Sequence, residues 1–213
     1  MTDLTAIDIL IDPDEAMIAR AKTVNARLLE SVPAGFALDE HHRPHITTLQ
    51  RYVRTADLDG VFDAVQGLLE SVEVGGLSLT AVVLRHMEAA AMPGVGLAGI
   101  VVRPAPEVLD FQARLIDAIG PFTESGGTAQ AYVRTEAEPE INQDTIDYIE
   151  HYVPDHSGAN YLGHVTVGLA TLDDLKTIEA EPFEPLTFSP AGISVYQLGN
   201  NGTAAKHLKS WDV

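Results

Sequence analysis

Residues 43–50 read RPHITTLQ, and residues 161–169 read YLGHVTVGL. Each stretch places a histidine two residues before a threonine, in a run rich in β-branched side chains that favour strands. Successive side chains on a strand alternate between its faces, so His45 projects with Thr47, and His164 with Thr166. Each strand therefore presents an imidazole beside a hydroxyl. On the opposite face of the second stretch Val165, Val167 and Leu169 are apolar, as a strand backed by helices requires. Ile46 and Thr48 form a weaker version of that pattern. The polar face is then either solvent or a cleft.

The surrounding sequence gives both stretches the same setting. LTAIDILID reads as an opening strand that ends in DPDE, where Asp12 is expected to cap a helix, with Pro13 at its first position and Glu15 closing a capping box. Met17, Ala21, Val24 and Leu28 recur at helical spacing. The first motif strand follows, and then a second helix on the stripe Leu58, Val61, Phe62, Val65, Leu68 and Leu69. LSLTAVVLRHM and LAGIVVR read as strands joined through PGVG. From LAGIVVR the order largely repeats: a helix over 105–119, a loop over 123–140 with a short strand at AQAYV, a helix at INQDTIDYIEHYV, the second motif strand, and a helix at LDDLKTIEA. The chain closes on a strand pair around GNNG. Identity between the halves is low outside the motif, so the duplication is inferred from element order.

Composition narrows the functional classes. A chain of 213 residues suffices for one large domain or two small lobes, and 46% hydrophobic residues place it among globular proteins. The longest apolar runs are too short to span a bilayer. MTDLTAIDIL carries acid where a signal peptide would carry base, so a cytoplasmic location is expected. The absence of cysteine removes disulfides, cysteine zinc sites and thiol nucleophiles. A net charge of −18 would repel a long polyanion, so no long nucleic acid is expected; a bound phosphate should be small or met in a local pocket.

If the motif strands meet across a pseudo-twofold axis, two imidazoles and two hydroxyls converge. One imidazole can take a proton from a nucleophile while the other gives one to a leaving oxygen. The hydroxyls can donate to the nonbridging oxygens of a phosphate. The paired motifs PHIT and GHVT, in a chain of this size, resemble the 2H phosphoesterase superfamily, which includes the 2′-5′ RNA ligase-like proteins and RNA 2′,3′-cyclic phosphodiesterases.

That resemblance implies an α+β, bilobal fold in which two antiparallel sheets flanked by helices enclose a central cleft. The approximate lobes are 1–95 and 96–213 of a single domain, with strand exchange between them. It implies metal-independent hydrolysis of a 2′,3′-cyclic phosphate on a small nucleotide or RNA end, without a cofactor. His45 and His164 would divide the acid and base roles, and Thr47 and Thr166 would hold the phosphate. The family usually has an apolar residue after the motif threonine; Val167 follows that pattern and Thr48 departs from it. The alternatives are a noncatalytic nucleotide-binding protein and a 2′-5′ RNA ligase. A monomer is expected.

Other residues are weaker candidates for the substrate. Arg51 shares the strand parity of His45. Tyr132 and Arg134 come from the loop region, and Tyr161 precedes His164 by three positions. The cluster of His41, His42 and His45 is the one arrangement resembling a metal site. A strand would place His42 and His45 on opposite faces, so no metal is expected. Lys206, His207 and the segments EAEPE and EAEPFEP read as solvated.

Overall fold

The structure is a computed structural model, and it describes residues 3–39, 42–89, 92–103, 105–136 and 138–213. It holds eight strands: β1 (Leu4–Pro13), β2 (Ile46–Arg54), β3 (Leu79–Glu88), β4 (Val95–Arg103), β5 (His164–Thr171), β6 (Leu186–Phe188), β7 (Pro190–Leu198) and β8 (Ala204–Asp212). The helices are α1 (Glu15–Ser31), α2 (Leu58–Leu69), α3 (Pro106–Ile119), α4 (Gln143–His156) and α5 (Leu172–Glu179). The strands form two four-stranded antiparallel sheets, ordered β2-β1-β7-β8 and β5-β4-β3-β6. The class is α+β. Both halves of the chain feed both sheets: β3 pairs with β4 and β6, while β7 and β8 extend the sheet begun by β1.

Each motif strand is the edge strand of its sheet, and the two edges lie beside one another. The helices lock this arrangement. α1 leaves the first sheet and packs on β5 of the second, while α3 and α4 leave the second and pack on β2 of the first. A continuous core joins the two sheets, with Ile7, Ile9, Leu49, Ile100 and Val165 buried against Met17, Leu28, Phe111 and Leu115. Deeply buried aliphatic side chains stabilise by about 1.5–3 kcal/mol each, so the two edge strands are held by the core and not by the cleft.

Several sequence expectations require correction. The cap of α1 is Asp14, whose carboxylate accepts from Met17 N at 3.0 Å, because β1 continues through Pro13. Asp12 instead accepts from Ser194 Oγ at 2.5 Å. The buried stripe of α1 runs Met17, Ala21, Asn25, Leu28, with the polar Asn25 inside and Val24 only partly buried. AQAYV forms no strand. Ala129–Ala131 is a 3-10 turn, after which Tyr132 packs with Tyr52, Ile141 and Ile149 in a second small core. Gly127 in this loop lies flat against the Tyr52 ring, where a Cβ would come within 2.2 Å of the ring. The closing turn is as expected, with Asn201 (φ 55°) and Gly202 (φ 71°) left-handed between β7 and β8.

Candidate active site

Each motif strand carries a β-bulge at the same place. On β2, Thr47 pairs with Leu10 and Leu49 with Ile9, so Thr48 is the extra residue. On β5, Thr166 pairs with Gly99 and Gly168 with Ala98, so Val167 is the extra residue. A bulge frees a carbonyl from the ladder and re-aims the neighbouring side chains. Both freed carbonyls are gripped by an amide from a helix of the other half. Asn25 on α1 donates to Val167 O at 2.8 Å, and Gln112 on α3 donates to Thr48 O at 3.0 Å.

The same two amides hold the segments that approach the histidines. Asn25 also donates to Phe36 O at 3.0 Å and accepts from Leu38 N at 3.1 Å, on the path into β2. Gln112 also donates to His156 O at 3.3 Å and accepts from Gly158 N at 3.1 Å, on the path into β5. The bulge on β5 places Gly168 at φ 135°, where a Cβ would approach Asn25 Nδ2 to 2.9 Å, so only glycine fits there. Thr48, which departs from the apolar pattern, is fully buried and satisfied, donating to Ile9 O at 2.6 Å.

The imidazoles follow this symmetry. His45 Nδ1 lies 2.7 Å from Arg43 O, and His164 Nδ1 lies 3.0 Å from Leu162 O, each the carbonyl two residues back. A carbonyl only accepts, so each Nδ1 carries the hydrogen and each Nε2 is left for a substrate. Asp8, on the cleft face of β1, is close enough to both imidazoles to feel their charge. Tyr161 donates from its hydroxyl to Thr47 O at 2.9 Å, tying the approach to β5 directly onto β2.

The weaker candidates fare differently. Tyr161 is buried, and burial raises the pKa of its hydroxyl. Tyr132 is only 4% exposed and bonds to the Tyr52 hydroxyl at 2.5 Å, so the structure makes it a packing residue. Arg51 does not share the face of Thr47, because the bulge reverses the parity. Beyond it Gln50 follows Thr47, while Arg51 falls with Leu49 and Val53. Burial lowers the Arg51 pKa, opposed by nearby Glu150. Arg134 is exposed. His42 stacks on Phe36 with ring centroids 4.8 Å apart; His41 lies outside the described residues.

Other residues stand at the site that the sequence did not single out. Arg43 and Tyr196 line a pocket beside His45 together with Leu10, Asp12 and Ala204. Arg85 on β3 is in register with Gly99, which is in register with Thr166, so an arginine and a hydroxyl flank a glycine against which the His164 ring lies. His156 at the end of α4 stacks with Tyr148 (4.5 Å), and burial lowers its pKa, with His164 acting in the same direction. Asp8 was visible as a charge within the apolar run AIDILID; Asn25 and Gln112 sit at apolar-stripe positions of their helices.

No protein-family model matches this sequence, and no curated protein does. Among solved structures, TT0787 of Thermus thermophilus superposes with a TM-score of 0.57 at 12% identity, over 98% of this chain and 97% of that one. The chain has the fold of TT0787. E. coli LigT matches in its apo form at a TM-score of 0.49 (12% identity, 99% and 98% coverage) and complexed with 3′-AMP at 0.46 (12%, 100% and 99%). No helix among the described residues is long and apolar enough to cross a membrane.

Proposed function

We propose that this protein is a 2H-type phosphoesterase that opens a 2′,3′-cyclic phosphate on a small nucleotide or RNA end. The observation that carries this reading is the mirrored pair of imidazoles, each with its Nδ1 hydrogen committed to a backbone carbonyl. A binding protein would need neither Nε2 held ready for proton transfer. In the reaction, one Nε2 removes a proton from water as its oxygen forms a bond to phosphorus. The other, as imidazolium, protonates the ribose oxygen whose bond to phosphorus breaks. The Thr47 and Thr166 hydroxyls stabilise the charge on the nonbridging oxygens. The product is a phosphomonoester, and the proton taken by one histidine replaces the one given by the other.

The local charge supports a small anionic substrate. In a chain of net charge −18, Arg43 lines the pocket beside His45, where Asp12 is the one carboxylate, and Arg85 lies in register with the Gly99 that pairs with Thr166. Hydrolysis of the four nucleoside 2′,3′-cyclic monophosphates in EDTA tests the reading, with His45→Ala and His164→Ala alongside. Turnover that survives chelation and is lost in both variants is expected. Full activity in either variant overturns it, and binding of 2′-AMP or 3′-AMP without turnover would favour a noncatalytic nucleotide-binding role.

A further inference from the structure

The two halves of the site differ beneath their threonines. Asp8 pairs with Gln50 across the first sheet, and its carboxylate accepts from Thr47 Oγ1 and from Gln50 Nε2, both at 2.9 Å to Oδ2. Asp8 is 0% exposed. Its Oδ1 and the Oε1 of Gln50 are both buried without a partner. Counting through the bulges, the equivalent pair in the second sheet is Leu97 and Leu169, and Thr166 has no side-chain hydrogen bond among the described residues.

A hydroxyl has one proton to give. While Asp8 is ionised, Thr47 gives that proton to the carboxylate and turns only lone pairs toward a phosphate. With a proton on Asp8, the carboxyl donates to Thr47 Oγ1 and the hydroxyl proton is released to the phosphate, with Gln50 still donating to the same carboxyl.

We propose that Asp8 is a positioning residue whose proton decides whether Thr47 can donate to a bound phosphate, so that substrate is taken up together with one proton. This rests on the phosphoesterase reading and extends it to a specific residue. The groups that face Asp8 are consistent with it. Burial raises its pKa above the ordinary 3.8, which His45, Gln50, Thr47 and His164 oppose. Tyr148 and Tyr152 on α4 and Tyr161 before β5 approach the same carboxyl, and each of these hydroxyls is raised in pKa chiefly by burial. Tyr196 on β7 pairs with Asp8 in register and packs its ring against His207 at 5.2 Å. Of these groups only the two imidazoles can bring positive charge to the carboxyl.

Asp8→Asn separates this role from a structural one. An amide donates permanently to Thr47 Oγ1, and a flip of Gln50 lets its unpartnered Oε1 accept the second amide hydrogen. The experiment follows KM and kcat for 2′,3′-cyclic nucleotides between about pH 4.5 and 8, in wild type, Asp8→Asn, Thr47→Val and the double variant. Calorimetry in two buffers then counts the protons taken up when 2′-AMP or 3′-AMP binds.

The wild-type KM should rise relative to that of Asp8→Asn by up to about tenfold per pH unit above the carboxyl pKa of the free protein, with a smaller change in kcat. Wild type should take up about one more proton than Asp8→Asn. In the Thr47→Val background the Asp8 substitution should no longer move the KM profile. Parallel KM profiles and equal proton uptake, with turnover intact, overturn the proposal and leave the enzymatic reading standing. A KM shift that persists without Thr47 overturns it too, since Asp8 would then act only as a charge on the histidines. Absence of both turnover and monophosphate binding in wild type removes the enzymatic reading and this proposal together.

Discussion

The half of the site built on β2 and the half built on β5 share a backbone but not a chemistry. Both have a histidine whose Nδ1 is held by the carbonyl two residues back, a bulge after the motif threonine, and an amide from a distant helix on the bulge carbonyl. Beneath Thr47 lie Asp8 and Gln50, buried and polar; beneath Thr166 the equivalent positions are Leu97 and Leu169. Pseudo-symmetry supplies two similar imidazoles, whereas an acid and a base must act differently in one turnover. The asymmetry beneath the threonines is a way for two halves of similar backbone to be made unequal.

The largest expected effect treats the halves alike. His45→Ala and His164→Ala should each lower kcat by about 10²–10⁴ while leaving the unfolding transition cooperative, because a positioned proton-transfer group contributes on that scale. Steady-state rates and circular dichroism on the same samples check this, and a large loss in one variant alone would overturn the two-histidine reading.

The threonines should separate the halves. At neutral pH Thr166→Val should cost about 10²-fold in kcat/KM, the scale of one lost donor to a developing oxyanion. Thr47→Val should cost less there, because Asp8 engages its proton. Lowering the pH, or adding Asp8→Asn, should bring the two costs together. Equal costs at every pH would erase the distinction between the halves.

A third comparison concerns the scaffold. Asn25→Ala strands Val167 O, Phe36 O and Leu38 N, and Gln112→Ala strands Thr48 O, His156 O and Gly158 N. Val167 O, Leu38 N and Thr48 O lie in buried bonds, and each left unsatisfied costs about 1–3 kcal/mol, whereas the other three bonds are part-buried and water can replace them. Both variants should therefore lose stability in denaturant titrations, Asn25→Ala the more, and each should slow turnover by loosening both motif segments at once. A loss confined to one variant would show that the bulges are not equivalent supports.

What could be read beforehand follows from the range of the interactions involved. Strand alternation is local, so HIT and HVT declared their shared faces, and the repeated element order pointed to two halves of similar plan. The bulges are not local: Thr48 is pushed out of register by packing that includes an amide on α3, 64 residues away. That slip is why Arg51 left the face assigned to it by simple parity. The place of Tyr132 was hidden for a related reason, since a Gly- and Thr-rich loop conceals that its apolar residues dock under α4 beside Tyr52. The cap of α1 moved from Asp12 to Asp14 because Asp14 also joins Ser189, a partner that enters only with the last third of the chain. Asn25 and Gln112 occupy apolar-stripe positions and were legible in principle as buried polar groups requiring partners.

The smallest effect bears most directly on the difference between the halves, and it needs no substrate. Burial holds the Asp8 carboxyl above its ordinary pKa of 3.8, so the folded protein binds this proton more tightly than the unfolded chain does. The stability associated with the protonated form is fully present below the unfolded value and is lost as pH rises through the folded one. Asp8→Asn has no such titration. Its melting temperature relative to wild type should therefore increase as pH is raised from about 3.5 and level off once Asp8 is ionised in the folded protein. An offset that stays constant with pH would place Asp8 at an ordinary carboxylate pKa. An offset that shrinks with rising pH would mean that the ionised form is favoured by folding, and that Thr47 and Gln50 outweigh the desolvation of the charge they hold.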